Sequence, residues 1–191
     1  MHQAHAPSRR LLLTTVIAVA LSAQTGAAAT IFGPGQISAS TALPNSGTGF
    51  TIDQICDGVI DPPVWFNGFA AVPGLVGTIR LDLATAQDLG DFVLWNDINV
   101  FAEGIRNFRL DFFDSANTPL GSTPVLVGSL GSALPVVYTF AAPVAGVKRV
   151  DLVVLTLNPS QRLEIREVAF NDTAVVPAQA TSWSRVKALF H

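Results

Sequence analysis

The chain has 191 residues, 49% of them hydrophobic and only 13% charged, with a formal net charge of −3 and a single cysteine, Cys56. The acidic balance argues against a nucleic-acid partner, and one cysteine excludes an intrachain disulfide. The length suits one ordinary domain with a sizeable core rather than two.

In chain order, Arg9 and Arg10 precede the apolar stretch Leu11–Ala23, and the small residues Ala27, Ala28 and Ala29 follow. Residues 1–29 therefore read as a secretory signal peptide. The stretch is shorter than the roughly 18–20 apolar residues of a membrane span, and retention as an uncleaved N-terminal anchor is the alternative. The expected product is secreted or held at the cell surface, with a folded domain over residues 30–172 and a flexible tail over residues 173–191. His2 and His5 leave with the signal and His191 is terminal. A Ser-His-Asp triad, a His-activated thiol and a His-ligated zinc thus lose their central group. Cys56 reads as a small buried side chain, pairing between chains being the other option.

Within the domain the hydrophobic period is two. Val76–Ala84 alternates Ile79, Leu81 and Leu83 with Thr78, Arg80 and Asp82, and Phe108–Asp114 turns Phe108, Leu110 and Phe112 inward. Val147–Leu157 and Leu163–Phe170 continue the pattern. In the last segment Leu163, Ile165, Glu167 and Ala169 share one face, so the alternation places a carboxylate at a core-facing position. Such a group is costly unless a cation or hydrogen-bond donors answer it. Turn signals separate the strands at Asp57-Gly58, Asp61-Pro62-Pro63, Val72-Pro73-Gly74, Asn117-Thr118-Pro119, Ala142-Pro143 and Asn158-Pro159-Ser160. With no helical crossovers between them, short strands at this spacing predict an all-β jelly-roll sandwich of about eight antiparallel strands.

Three segments carry a resemblance. Ile37–Trp65 contains ISAS and then CDGVIDPPVW; Gly77–Ser115 contains GTIRLDL, FVLWND and GIRNFRLDFFDS; Gly146–Phe170 contains VKRVDLVVL and LEIREVAF. Together they resemble the discoidin-like, coagulation factor 5/8 type C domains of galactose-binding-like fold, through Asp57, Gly58 and Trp65 early and the Glu167-Val168 pair in the closing strand. The resemblance implies a structural calcium where an early loop meets the last strand, with Asp57 and Glu167 as ligands. Asp53, Asp61 and loop carbonyls over Ile52–Asp57 are further donors, suited to an ion that takes several oxygens at about 2.3–2.6 Å. The other reading is an Asp-Gly turn whose backbone amides bond the strand glutamate.

The resemblance also implies ligand contacts on loops at one end of the sandwich. The candidates are Phe66, Asn67, Phe69, Asn96, Asp97, Asn99 and Phe101, with Glu103 nearby, while Trp65 and Trp95 match core positions. The family's sugar-binding signature uses a His with Arg residues. Here no internal His exists and Gly104 stands where an Arg often precedes the Ile, so galactose or fucose specificity does not carry over. Val175–Trp183 resembles the start of a PEP-CTERM sorting signal, with Ala178 and Gln179 in place of its Glu-Pro and without its apolar span.

The expected function is a non-catalytic exported binding or adhesion module for an extracellular glycan or matrix polymer. The alternative is a structural, envelope-associated protein that self-assembles without a soluble ligand, using Cys56 and the apolar segment Phe66–Leu75 as a contact surface. A glycosidase would need two carboxylates about 5–9.5 Å apart across a cleft, and no such pair stands out.

Overall fold

The computed structural model describes residues 30–31, 33–60, 67–96, 102–129 and 135–171. The expected signal peptide, residue 172 at the end of the expected domain, the expected tail over residues 173–191, and the candidates Phe66, Asp97, Asn99 and Phe101 lie outside these residues.

Among the described residues eight strands are formed: β1 (Ile37–Thr41), β2 (Phe69–Ala70), β3 (Thr78–Asn96), β4 (Ile105–Phe113), β5 (Pro119–Ser122), β6 (Leu126–Val127), β7 (Val136–Leu157) and β8 (Glu164–Phe170), with a short 3-10 turn at Ile52–Cys56. All their pairings are antiparallel, in the order β2-β8-β3-β7-β4-β5, with β1 on β3 and β6 on β4. The all-β sandwich expected from the sequence is what forms.

The long strands β3 and β7 each serve both leaves of the sandwich. The first half of β3 pairs with the second half of β7, from Thr78 opposite Val153 to Asp82 opposite Arg149; beyond three register shifts the other halves pair from Asp91 opposite Thr139 to Leu94 opposite Val136. One leaf is therefore β1, early β3, late β7, β4, β5 and β6, and the other is β2, β8, late β3 and early β7. Ala142-Pro143, which reads as a turn in the sequence, lies inside β7 at this bend. A proline removes a ladder donor and suits a kinked or edge position as well as a turn. The bend is clamped by polar groups. The Lys148 ammonium donates to the carbonyls of Leu83 and Ala84, Gly146 N–H donates to Asp88 Oδ1 at 2.9 Å, and Asn171 donates to Asp88 O and accepts from Gly90 N–H, both at 2.7 Å.

Aromatic rings join the leaves. Phe92 of late β3 meets Phe108 of β4 edge-on at 5.8 Å between centroids, and Phe112 of β4 meets Phe140 of early β7 at 5.3 Å. The inward residues expected on β3 and β4, namely Ile79, Leu81, Leu83, Phe108, Leu110 and Phe112, are all buried in one core.

One expectation fails on β8. Trp95 pairs with Glu167 but Asn96 pairs with Ile165, so β8 spends one extra residue, Arg166, in a bulge. The face switches there. Ile165, Val168 and Phe170 enter the main core, whereas Ala169 packs with Val93 and Trp95 in a second, smaller cluster on the opposite face. Glu167, opposite Trp95, belongs to that second face and not with Leu163 and Ile165.

Candidate functional site

Because β3 and β7 fold over at one end, their termini gather at the other. There the end of β3 (Asn96), the start of β4 (Ile105), the residues before β7 (Gly128, Ser129) and the β7–β8 turn (Asn158–Arg162) converge. Two buried asparagines bind them together. Asn96 Oδ1 accepts from Ile105 N–H at 2.8 Å, and its Nδ2 donates to the carbonyls of Ile105 and Ser129 at 2.9 and 3.0 Å. Asn158 Nδ2 donates to Glu103 O at 2.7 Å. Gly104 sits at φ +87, and a Cβ there would lie 2.4 Å from Asn96 Oδ1. The arginine that the family often places here has no room in this chain.

This corrects the expected role of Asn96, whose amide is fully used in holding loops and is buried. Asn96→Ala leaves the paired groups of Ile105 and the Ser129 carbonyl without their partner, so we expect a loss of about 2–3 kcal/mol in urea unfolding. Asn96→Asp, which keeps the acceptor for Ile105 N–H but turns a buried carboxylate oxygen on the Ile105 and Ser129 carbonyls, should lose at least as much.

Phe69 is likewise corrected. It is fully buried in the main core on β2, so it supports the fold rather than a ligand. Asn67 is half-buried and braces a loop: its Nδ2 donates to Asp57 Oδ2 at 3.1 Å and its Oδ1 accepts from Gln54 Nε2 at 2.8 Å. At the loop end the sequence reading overlooked Arg162 and Glu164. The Arg162 guanidinium lies 3.5 Å from Glu103 and 3.6 Å from Glu164, two carboxylates that are both largely buried. The available signal was the pair of charges flanking apolar Leu163 at the mouth of a strand.

The Asp57 and Glu167 pair is brought together on the flank of β8. Gly58 N–H donates to Glu167 Oε2 at 3.2 Å, and Val59 N–H donates to Asp57 Oδ1 at 2.8 Å. Glu167 is fully buried, and its Oε1 meets no hydrogen-bond donor. Burial, together with the Asp57 carboxylate beside it, pushes the Glu167 pKa up to about 8. Burial also raises the neighbouring Cys56 thiol well above its ordinary range, with Glu167, Asp57 and Asp53 adding to the shift; a thiol so placed is a core side chain, not a nucleophile. Two abutting carboxylates with an unanswered buried oxygen are a donor set that fits a hard cation. Asp53 is exposed, Asp61 lies outside the described residues, and no cluster of three or more His, Cys, Asp or Glu side chains forms among the described residues. Backbone carbonyls would have to complete any shell.

No protein-family model and no curated protein sequence matches the chain. Solved structures do. The family 32 carbohydrate-binding module of Clostridium perfringens NanJ, determined in complex with galactose, is similar with a TM-score of 0.60 and 11% identity, over 74% of this chain and 98% of that one. The family 32 module of Streptococcus pneumoniae EndoD is similar with a TM-score of 0.56 and 13% identity, over 74% and 98%. An F5/8 type C domain from Bacteroides fragilis gives 0.50 and 16%, over 72% and 97%. The fold is that of the discoidin-like, galactose-binding-like sandwiches. Among the described residues no helix is long and apolar enough to cross a membrane.

Proposed function

We propose that this protein is a non-catalytic, exported glycan-binding module stabilised by calcium. The observation that carries the reading is its likeness to carbohydrate-binding modules over nearly their whole length, joined to loops that converge at one end of the sandwich. Phe66, Asp97, Asn99 and Phe101 keep the contact role that the sequence suggests. Aromatic faces stack on sugar rings, and side-chain amides and carboxylates bond hydroxyls. Arg162 between Glu103 and Glu164 adds a polar cluster at the same end, in which the guanidinium donates to, and the carboxylates accept from, a polyol. In this reading Asp57 and Glu167 hold the cation, which supplies the positive charge that the pair lacks, and the ion is structural.

Affinity electrophoresis of the secreted protein through gels containing plant, microbial and animal polysaccharides tests the function. Retardation by at least one polymer, relative to an unrelated exported protein, is expected. Uniform mobility across the set, with calcium and with chelator, would overturn it.

A further inference from the structure

The outer face of the larger leaf carries the same short motif on three adjacent strands: Arg80-Leu81-Asp82 on β3, Arg149-Val150-Asp151 on β7 and Arg109-Leu110-Asp111 on β4. Each Arg pairs with the Asp two residues on, at 2.7, 3.2 and 2.8 Å respectively. The rows across β3 and β7 alternate in sign. Asp82 lies opposite Arg149 and Arg80 opposite Asp151, giving a two-by-two checkerboard. Gly77 O accepts from Val154 N–H, which carries the register on and sets Val76 opposite Leu155. Both are exposed, at 46% and 37%.

We propose that this face is a docking surface for a second copy of the chain. The pattern is its own complement. A two-fold axis running between β3 and β7, parallel to them, places each β3 residue on the β7 residue that lies opposite it. Asp82 then meets the second copy's Arg149, Arg80 meets its Asp151, Thr78 meets its Val153 and Val76 meets its Leu155. The charged rows join unlike charges and the Val76–Leu155 row joins apolar groups, with Thr78 on Val153 the one mixed row, so no row sets like charges together. On β4, Asp111 lies directly opposite Asp151, a like-charged pair that disfavours the isolated sheet. The same axis sets Asp111 on Ser40 of β1, a hydroxyl able to donate to it. A polymer of single charge would meet as many like charges as opposite ones. A sugar ring would find no free platform either, because the Arg149 guanidinium already covers the Phe113 ring at 3.7 Å. The contact surface expected from the sequence is a different one. Of its residues, Cys56, Phe69, Ala70 and Ala71 are buried, Val72 and Leu75 are exposed, and Phe66 lies outside the described residues.

Four to five strands about 4.8 Å apart make a face roughly 20 Å on a side, small beside a standard interface. The dimer is therefore weak and salt-sensitive, since these charges sit within one Debye length of solvent. Sedimentation velocity over about 10 μM to 1 mM at low ionic strength tests it. Wild type should shift from monomer toward dimer across that range. An acidic-face variant (Arg80→Asp with Arg149→Asp) and a basic-face variant (Asp82→Arg with Asp151→Arg) should each lose at least tenfold in self-association, and an equimolar mixture of the two should recover it. Val76→Glu, at an exposed position that leaves the charge pairs intact, should weaken association without altering the melting temperature. Monomer throughout the range, a mixture that stays monomeric while both variants are folded, or unchanged association in Val76→Glu would each overturn the proposal.

Discussion

Glu167→Gln is expected to change stability in opposite directions depending on calcium. In chelator the folded state holds its Glu167 proton up to about pH 8, against an ordinary value of 4.5. The sign follows from proton counting. Below pH 4.5 both folded and unfolded states are protonated at this group and no cost arises. Between 4.5 and 8 only the folded state holds the proton, so stability falls as pH rises, and above 8 the full cost of a buried carboxylate beside Asp57 is present. The loss is on the order of 5 kcal/mol at most. Glutamine keeps an acceptor for Gly58 N–H and brings a donor toward Asp57, so the variant should match wild type near pH 4.5 and melt higher at pH 9. With calcium at about a hundred times its dissociation constant at each pH, the order reverses near pH 6, where the cost is still about 2 kcal/mol, and the gap narrows at pH 9. Wild type gains roughly 3 kcal/mol, on the order of 10 °C in melting temperature, and the variant gains little. Thermal melts of both proteins across pH, with calcium and with chelator, check this. Equal calcium shifts in the two proteins would remove Asp57 and Glu167 as the cation site.

Gly68→Ala should be strongly destabilising. Gly68 leads into β2, and a Cβ there would lie 2.2 Å from the Ile165 carbonyl oxygen and 2.8 Å from Arg166 Cα. Both are backbone atoms at the β8 bulge, so no rotamer change relieves the overlap. The β2 pairing of Phe69 with Ile165 must open, which lifts fully buried Phe69 out of the core and loosens Asn67 from Asp57. Removing a buried Phe from a core costs about 3–5 kcal/mol. We expect a loss of at least about 3 kcal/mol, or failure to accumulate as folded protein. Urea unfolding followed by tryptophan fluorescence measures it, and a loss below about 1 kcal/mol would show that β2 is not anchored by this close approach.

What the sequence made legible follows from where its period of two runs unbroken. Ile79, Leu81 and Leu83 on β3 and Phe108, Leu110 and Phe112 on β4 alternate cleanly, and both stretches fold as expected with those side chains in the core. The period gives no warning of a bulge. One extra residue at Arg166 moves Glu167 to the other face, and only the cross-strand partner reveals it. Nor does local sequence separate a turn from a bend inside a strand that serves two leaves, which is why Ala142-Pro143 misleads.

The site divides along the same line. Asp57 and Glu167 lie 110 positions apart in number yet meet, and the family resemblance, not the spacing, pointed to them. Asn96 and Phe69 were misassigned because an amide or a ring beside a loop has the same letter whether it contacts a ligand or holds the scaffold. Asn96 is spent on Ile105 and Ser129, and burial, which decides Phe69, is a property of the folded chain. The roles of Asn158 and Arg162 at the loop end are not legible locally because both reach Glu103, from a loop more than fifty residues earlier.

The most direct measurement of the account is amide chemical-shift mapping of the 15N-labelled protein with a polysaccharide fragment that retards it in gels. Perturbations concentrated at the loop end, over Ala102–Gly104, Gly128–Ser129 and Asn158–Arg162, are the predicted result. Perturbations confined to the outer face of β3, β7 and β4, or absent at saturating fragment, would contradict a glycan site at that end.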